Sequence, residues 1–261
     1  VGTSEGDVTP GGGQAAAVLA QAAARRDIGV FEWLFDPASW TGPAGILRSL
    51  GDTATLCAAV IAAAVAIAVP LGAVLAHLRR GEVLATWAVT VGRAVPTFAV
   101  AGLLVPIALR RGWGAEPVPI FTALLLLALP PIFLNTYTAV RAADPAAVDA
   151  ARAIGMRERA VLLRVELPLA ATTVLDGVRV AAVQVVATEP IRAFLGGDGL
   201  GRYVRDGLGQ NNDGLVVAGA LLIATFAAAT GLAFTAVGRA LPEGVRRSGA
   251  RRPRTERKER T

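Results

Sequence analysis

Five apolar runs, parted by short polar or charged stretches, organise the sequence. The first, Leu56 to Leu75, is unbroken by charge, with Pro70 and Gly72 near its end. The second, Val83 to Leu109, is interrupted by Arg93 and Pro96 and carries Pro106 near its far end. The third, Val118 to Val140, contains Pro130 and Pro131 and exits through Asn135, Thr136 and Tyr137. The fourth, Pro168 to Thr188, is the most polar, holding Asp176, Arg179 and Gln184; the fifth runs from Leu215 to Val237. About twenty apolar residues in a helix cross a hydrocarbon core of roughly 30 Å, so each run predicts a membrane span. A kink is expected at Pro70, which membrane helices tolerate where neighbours re-satisfy the backbone. The expected fold is all-α: a polytopic integral membrane helical bundle of about five transmembrane helices.

Between the third and fourth runs lies a charged, helix-forming insert, Ala147 to Pro168. Its periodicity predicts two short helices. The first places Val148, Ala151 and Ile154 on one face, and the second Val161, Leu162 and Val165, with Arg157, Arg159 and Arg164 free for the other. Gly155 suits a left-handed C-terminal cap that turns the chain between them. Pro168 can open the next helix, since a first-turn proline loses no hydrogen bond. Such a helix pair reads either as an interfacial loop with arginines near head groups or as a docking knob for a soluble partner. Ala150, Ala151 and Gly155 favour the knob, because small side chains let a helix be gripped closely; spacing alone leaves both open.

The pattern of Asp149, Ala150, Ala151, Gly155, Leu167 and Pro168 resembles the EAA loop of binding-protein-dependent ABC importer permeases of the MetI-like fold. Aspartate stands where that loop usually has glutamate. The stretches VPLG at 69–72, GRAVPTFAVAGLL at 92–104, LDGVRVAAVQVVAT at 175–188 and GGDGLGRYV at 196–204 are similar to the glycine betaine/carnitine/choline branch. The likeness runs from about Gly45 to Gly238. It implies a cytoplasmic coupling-helix loop at 141–167, a partner ABC ATPase subunit, and a second permease copy or paralogue. It also implies an extracytoplasmic substrate-binding protein that holds the high-affinity site for an osmoprotectant quaternary amine. Two other readings stand beside it: the same fold carrying an amino acid or oxyanion, and a non-transporting membrane scaffold that recruits a soluble partner through the loop.

Composition supports a membrane protein: of 261 residues 54% are apolar, mean hydropathy is +0.53, and aromatics make up only 5%. Small residues suit helices packed closely in lipid. The net charge of +6 would suggest nucleic acid in a soluble protein. Here the basic residues cluster in loops and tail, which fits membrane orientation instead. With the 141–167 loop placed in the cytoplasm, sixteen of the 26 Lys and Arg fall on that side and eight on the other. The bias puts the N-terminus outside and the C-terminus inside the cell membrane. Three segments are expected: a partly disordered extramembrane segment over 1–44, a permease transmembrane domain over 45–241, and a basic disordered tail over 242–261. The first includes a possible surface helix at 15–26, and Trp33 and Trp40 as interfacial anchors.

No catalytic residue is expected. No GxxxxGK[ST] stretch is present, so ATP and Mg belong on the partner ATPase and no cofactor on this chain. Cys57, the lone cysteine, excludes an internal disulfide and reads as a packing residue, and His77 as an interfacial one. Arg93 and Arg179 each lie about ten residues inside a span, roughly 15 Å deep. Charges there face a cavity or find a partner, and Asp176 is placed to pair with Arg179. Pro96, Thr97, Gln184 and Thr188 join them as candidate path or gate residues. The span aromatics are scattered and read as packing rather than as a cage for a quaternary amine. Gly196, Gly197, Gly199 and Gly201 form an outer loop. It reads as a turn against the binding protein or an outer gate, and the charged Glu189, Arg192 and Asp198 around it depart from the branch.

Overall fold

The computed structural model describes residues 29–42, 44–86 and 96–240. The expected surface helix at 15–26, Arg93 and the basic tail lie outside them.

Every described element is helical. Two short helices, α1 (Val30–Phe35) and α2 (Pro37–Trp40), lead into α3 (Ile46–His77). Then come α4 (Thr97–Arg110), α5 (Pro117–Arg141), α6 (Pro145–Ala153) and α7 (Glu158–Val161). A π-helical turn over Leu162–Glu166 joins α7 to α8 (Leu167–Thr188), which continues as a 3₁₀ segment over Glu189–Leu195. The described residues end in α9 (Gly201–Gln210) and α10 (Asp213–Ala240).

Four of the five expected spans appear as helices long and apolar enough to cross a membrane: α3, α5, α8 with its extensions, and α10. The second is shorter than expected among the described residues. Residues 82–86 are helical, 87–95 are not described, and α4 restarts only after Pro96. Its 14 residues reach about 21 Å at helical rise. The first span is longer than its apolar run, because α3 begins at Ile46 and covers 32 residues with Pro70 inside one helix. Hydropathy marks the part of a helix that meets lipid; the three extra turns bury Ile46, Ser49 and Thr53 against protein.

The bundle is centred on α5, which packs against α3, α8 and α4, while α8 also packs against α3 and α10. Lipid tails are as apolar as the side chains, so close van der Waals contact must drive this association. The seam of α3 is accordingly small: Cys57, Val60, Ala64, Ala68, Gly72 and Ala76 recur every three or four residues and are buried. Two glycines bring backbones together. A Cβ on Gly72 would lie 3.0 Å from the Phe133 carbonyl oxygen of α5. One on Gly177 of α8 would lie 2.6 Å from Asn135 Cβ and 3.0 Å from the Pro131 oxygen, on α5 as well. Hydroxyls in the spans turn back onto carbonyls one turn earlier, Thr136 to Ile132 and Thr230 to Phe226, both at 2.8 Å. That satisfies them without a partner helix.

The two tryptophans are not free anchors. Trp33 is half-buried edge-on to Tyr203, with ring centroids 5.1 Å apart, and the Trp40 indole N–H donates to the Leu34 carbonyl at 2.7 Å. Packing against α9 and α10 draws them inward and leaves Phe31 and Phe35, 70% and 76% exposed, as the outward aromatics of α1.

Candidate functional site

The insert between the third and fourth spans folds into a compact elbow. Asp144 caps α6, accepting from the Ala146 N–H at 3.0 Å, and Pro145 fills the first helical position, where no N–H is needed. Gly155 has φ +83°. Its N–H reaches the Arg152 carbonyl at 2.9 Å, and the Met156 N–H reaches Ala151 at 3.1 Å. This paired capping ends the helix in a fixed turn. Val148, Ala151 and Val161 are buried together with Met156 and Val165 against them.

Two expectations need correction here. Ile154 is 79% exposed rather than on the buried face, because the helix ends at Ala153 and Ile154 already belongs to the turn. The second helix is not separate from the fourth span. From Glu158 the helical path runs unbroken into α8. The π turn absorbs Pro168, with the Leu167 N–H donating to the Leu162 carbonyl five residues back. Asp149, Ala150, Ile154 and Gly155 face outward from the elbow, Ala151 is buried within it, and Leu167 and Pro168 lie in the first turn of α8. The outward surface is small, partly apolar and rigidly backed.

His77 holds the elbow, where its place at the end of a span suggested only an interfacial residue. Its Nδ1 lies 2.7 Å from Glu166 Oε2 and its Nε2 3.2 Å from Glu158 Oε2. Side chains of His77 and Glu166 are 9% and 8% exposed. Glu158 in turn accepts a two-pronged pair from Arg152, both contacts at 3.0 Å, and Arg152 stands 3.8 Å from Asp149. The hydrogen bond from Arg152 holds the Glu158 carboxyl below its ordinary range, and the same bond raises Arg152. The cluster therefore ties the last turn of α3 to both arms of the elbow.

A second polar cluster closes the other end of the bundle. Glu189 is fully buried where α8 gives way to the 3₁₀ segment. Thr53 of α3 donates to its Oε2 at 3.1 Å and accepts the Leu200 N–H at 2.9 Å. Arg192 Nη1 stands 3.6 Å from Glu189 Oε1 and pairs through Nε with Glu116, at the start of α5. One turn before Thr53, Ser49 donates to the Tyr203 hydroxyl at 3.1 Å, which donates to the Ala44 carbonyl at 3.0 Å. Burial pushes the Tyr203 phenol above its ordinary range. The glycine loop wraps this cluster. Gly196 and Gly199 have φ of +91° and +102°, and a Cβ on Gly199 would lie 2.8 Å from both Glu189 Oε1 and Thr53 Oγ1. A Cβ on Gly197 would run into Arg192 and Glu116, and one on Gly201 into Pro190.

The remaining candidates separate. Asp176 and Gln184 are exposed and Arg179 and Thr188 half-buried on α8. Arg179 Nη2 is 3.8 Å from Asp176, and its Nη1 donates to Thr235 of α10 at 3.1 Å, pinning two spans. Pro96 and Thr97 begin α4, which packs on α5. Arg93 is outside the described residues. Among the described residues no group of three His, Cys, Asp or Glu is placed to hold a metal ion.

A helical bundle bearing a rigid elbow between two spans can be compared with known proteins. The model of the family described as "binding-protein-dependent transport system inner membrane component" matches residues 68–247. The chain belongs to this family. It is thus a permease component of the inner membrane, not an enzyme. It is 34% identical over 190 residues to the choline transport system permease protein OpuBD of Bacillus subtilis, covering 72% of this chain and 82% of that one. It is 33% identical over 185 residues to the osmoprotectant import permease protein OsmW of Salmonella typhimurium, covering 70% and 86%. Among solved structures, an inward-facing form of the MetNI methionine ABC transporter matches with a TM-score of 0.64 at 18% identity, covering 75% of this chain and 95% of that one. At that identity the likeness concerns the fold.

Proposed function

We propose that this permease forms half of the translocation path of an ATP-driven importer for a small osmoprotectant of the quaternary-amine class. A separate ATPase subunit, carrying ATP and Mg, grips the elbow through Asp149, Ala150, Ile154 and Gly155. An extracytoplasmic binding protein delivers the solute, and a second permease copy or paralogue completes the pore. The observation that carries this reading is the elbow: Ala150 and Gly155 face outward while the Gly155 turn and the Arg152–Glu158 clasp make it stiff. A stiff elbow passes displacement on, and a loose one dissipates it. The cargo class is supported by the names of relatives that cover most of this chain's bundle. The elbow faces the cytoplasm and the tail follows it, in keeping with sixteen basic residues against eight. Residues 45–241 act as the transmembrane unit, flanked by extramembrane segments, and Asp176, Arg179, Gln184 and Thr188 border the path.

The test is radiolabelled uptake by vesicles holding this chain, its ATPase and the binding protein, with betaine, choline, carnitine and proline in parallel. Uptake of a quaternary amine driven by ATP supports the reading; uptake of proline alone shifts the cargo. Gly155→Trp should preserve ATP turnover and abolish uptake. An ATPase that neither co-purifies nor responds to the binding protein would leave the elbow as a scaffold contact and refute transport.

A further inference from the structure

The two polar clusters are joined by the same two helices. On α3, Thr53 and His77 are 24 residues apart; on α8 and its extensions, Glu189 and Glu166 are 23 apart. At helical rise both intervals are roughly 35 Å. The helices pack side by side and run in opposite directions, so Thr53 meets Glu189 at one end and His77 meets Glu166 at the other. The side-chain hydrogen bonds between these two helical paths are at the two ends, Thr53 to Glu189 and His77 to Glu166. All four side chains are at most about a tenth exposed. The paired helices therefore resemble a ladder with two polar rungs, one against the elbow and one against the far loop.

We infer that His77 and Thr53 are positioning residues of one mechanical line, in which the elbow's displacement reaches the outer cluster through α3 braced against α8. The inference rests on the elbow being the ATPase contact. Without the inner rung the elbow moves α8 but not α3. Without the outer rung both helices still move, but Thr53 no longer holds Glu189 and the Leu200 N–H together, so α3 and the Gly196–Gly201 loop part from the end of α8. Either break stops the line, so breaking both is no worse than breaking one.

A double-mutant cycle on the reconstituted transporter tests this, reading solute taken up per ATP hydrolysed rather than either rate alone. Each of His77→Gln and Thr53→Val should lower that ratio about tenfold, a coupling of ordinary allosteric size. The double variant should show the same loss rather than the product of the two. Multiplying losses, or an unchanged ratio in either single variant, overturns the inference. Should His77→Gln fail to assemble, Glu166→Gln preserves the shape of the rung and removes its charge, and the same cycle with Thr53→Val applies. Gly155→Trp separates the two levels of the reading. If it uncouples while the rung variants do not, the elbow stands and the ladder fails; if the ATPase does not dock on wild type, both fail.

Discussion

Replacing Gly177 by alanine adds one methyl group where α8 lies against α5. Its Cβ would lie 2.6 Å from Asn135 Cβ and 3.0 Å from a backbone oxygen, Pro131. Carbon atoms rest at about 3.5–4.0 Å, so α8 must retreat by roughly 1 Å along a seam it shares with α5. Overpacking of this kind costs about 1–3 kcal/mol. Alanine recovers some of that, about 0.8–1 kcal/mol, because glycine is the poorer helix former. The net loss should lie between about 0 and 2 kcal/mol by difference of those terms, toward the upper end because this approach is the tightest of the three glycines compared. Two sister positions calibrate the estimate. At Gly72 the closest approaches are 3.0 Å and 3.2 Å, so a few tenths of an ångström suffice and the two effects nearly cancel. At Gly231 of α10 the nearest atom is Val183 Cγ2 at 3.4 Å, an ordinary contact, and alanine should stabilise. The assay is the free energy of unfolding by SDS in mixed micelles, compared across the three variants. The expected order of stability is Gly231→Ala, then Gly72→Ala, then Gly177→Ala. A Gly177→Ala protein as stable as wild type, or a Gly231→Ala protein weaker than it, would refute close backbone contact as the source of bundle stability.

Further outcomes follow from the polar contacts. The carboxyl of Glu158 is held below its ordinary range, so its clasp contributes stability above the unfolded-state value and loses it as pH falls through the lowered one. Amide exchange over residues 150–160, corrected for intrinsic rate, should stay slow through the ordinary glutamate range near about 4.3 and quicken only below it; in Glu158→Gln that step should vanish. Thr235→Val removes the acceptor of Arg179 and should cost about 1 kcal/mol in the SDS assay; a loss well under half of that would mean the contact is not held in the bilayer. Phe31→Ser with Phe35→Ser should make Trp33 fluorescence less sensitive to quenchers placed in the lipid, and an unchanged signal would mean α1 does not meet lipid.

Much of the bundle could be read along the chain because lipid imposes a local rule: roughly twenty apolar residues or no span. Runs three, four and five therefore match α5, α8 and α10 to within about two or three residues at most ends, ordinary scatter for helix boundaries. Gly155 was equally legible, since a left-handed cap is a demand of one residue on its own backbone. The rungs were not. His77 and Glu166 are 89 positions apart, Thr53 and Glu189 136, and no periodicity links them. Two signals were nonetheless present. Ser49 and Thr53 continue, at helical spacing, the small-residue seam of Cys57, Val60 and Ala64, so they had to face protein. Glu158 and Glu166 sit two turns apart near the depth at which the only histidine ends its span. Ile154 misled because a face drawn by spacing takes no account of where the cap ends the helix.

The interval from Glu166 to Glu189 also sets a ruler against the membrane. Its roughly 35 Å slightly exceeds the hydrocarbon thickness of about 30 Å, so with modest tilt both carboxylates sit just at the edge of the lipid tails. A thicker bilayer would draw one of them inward, and a thinner one would force the helix to lean, at a fraction of a kcal/mol per ångström of mismatch. The same lean would shear both rungs at once, which makes acyl-chain length a direct handle on how firmly the two ends of this permease are held in step.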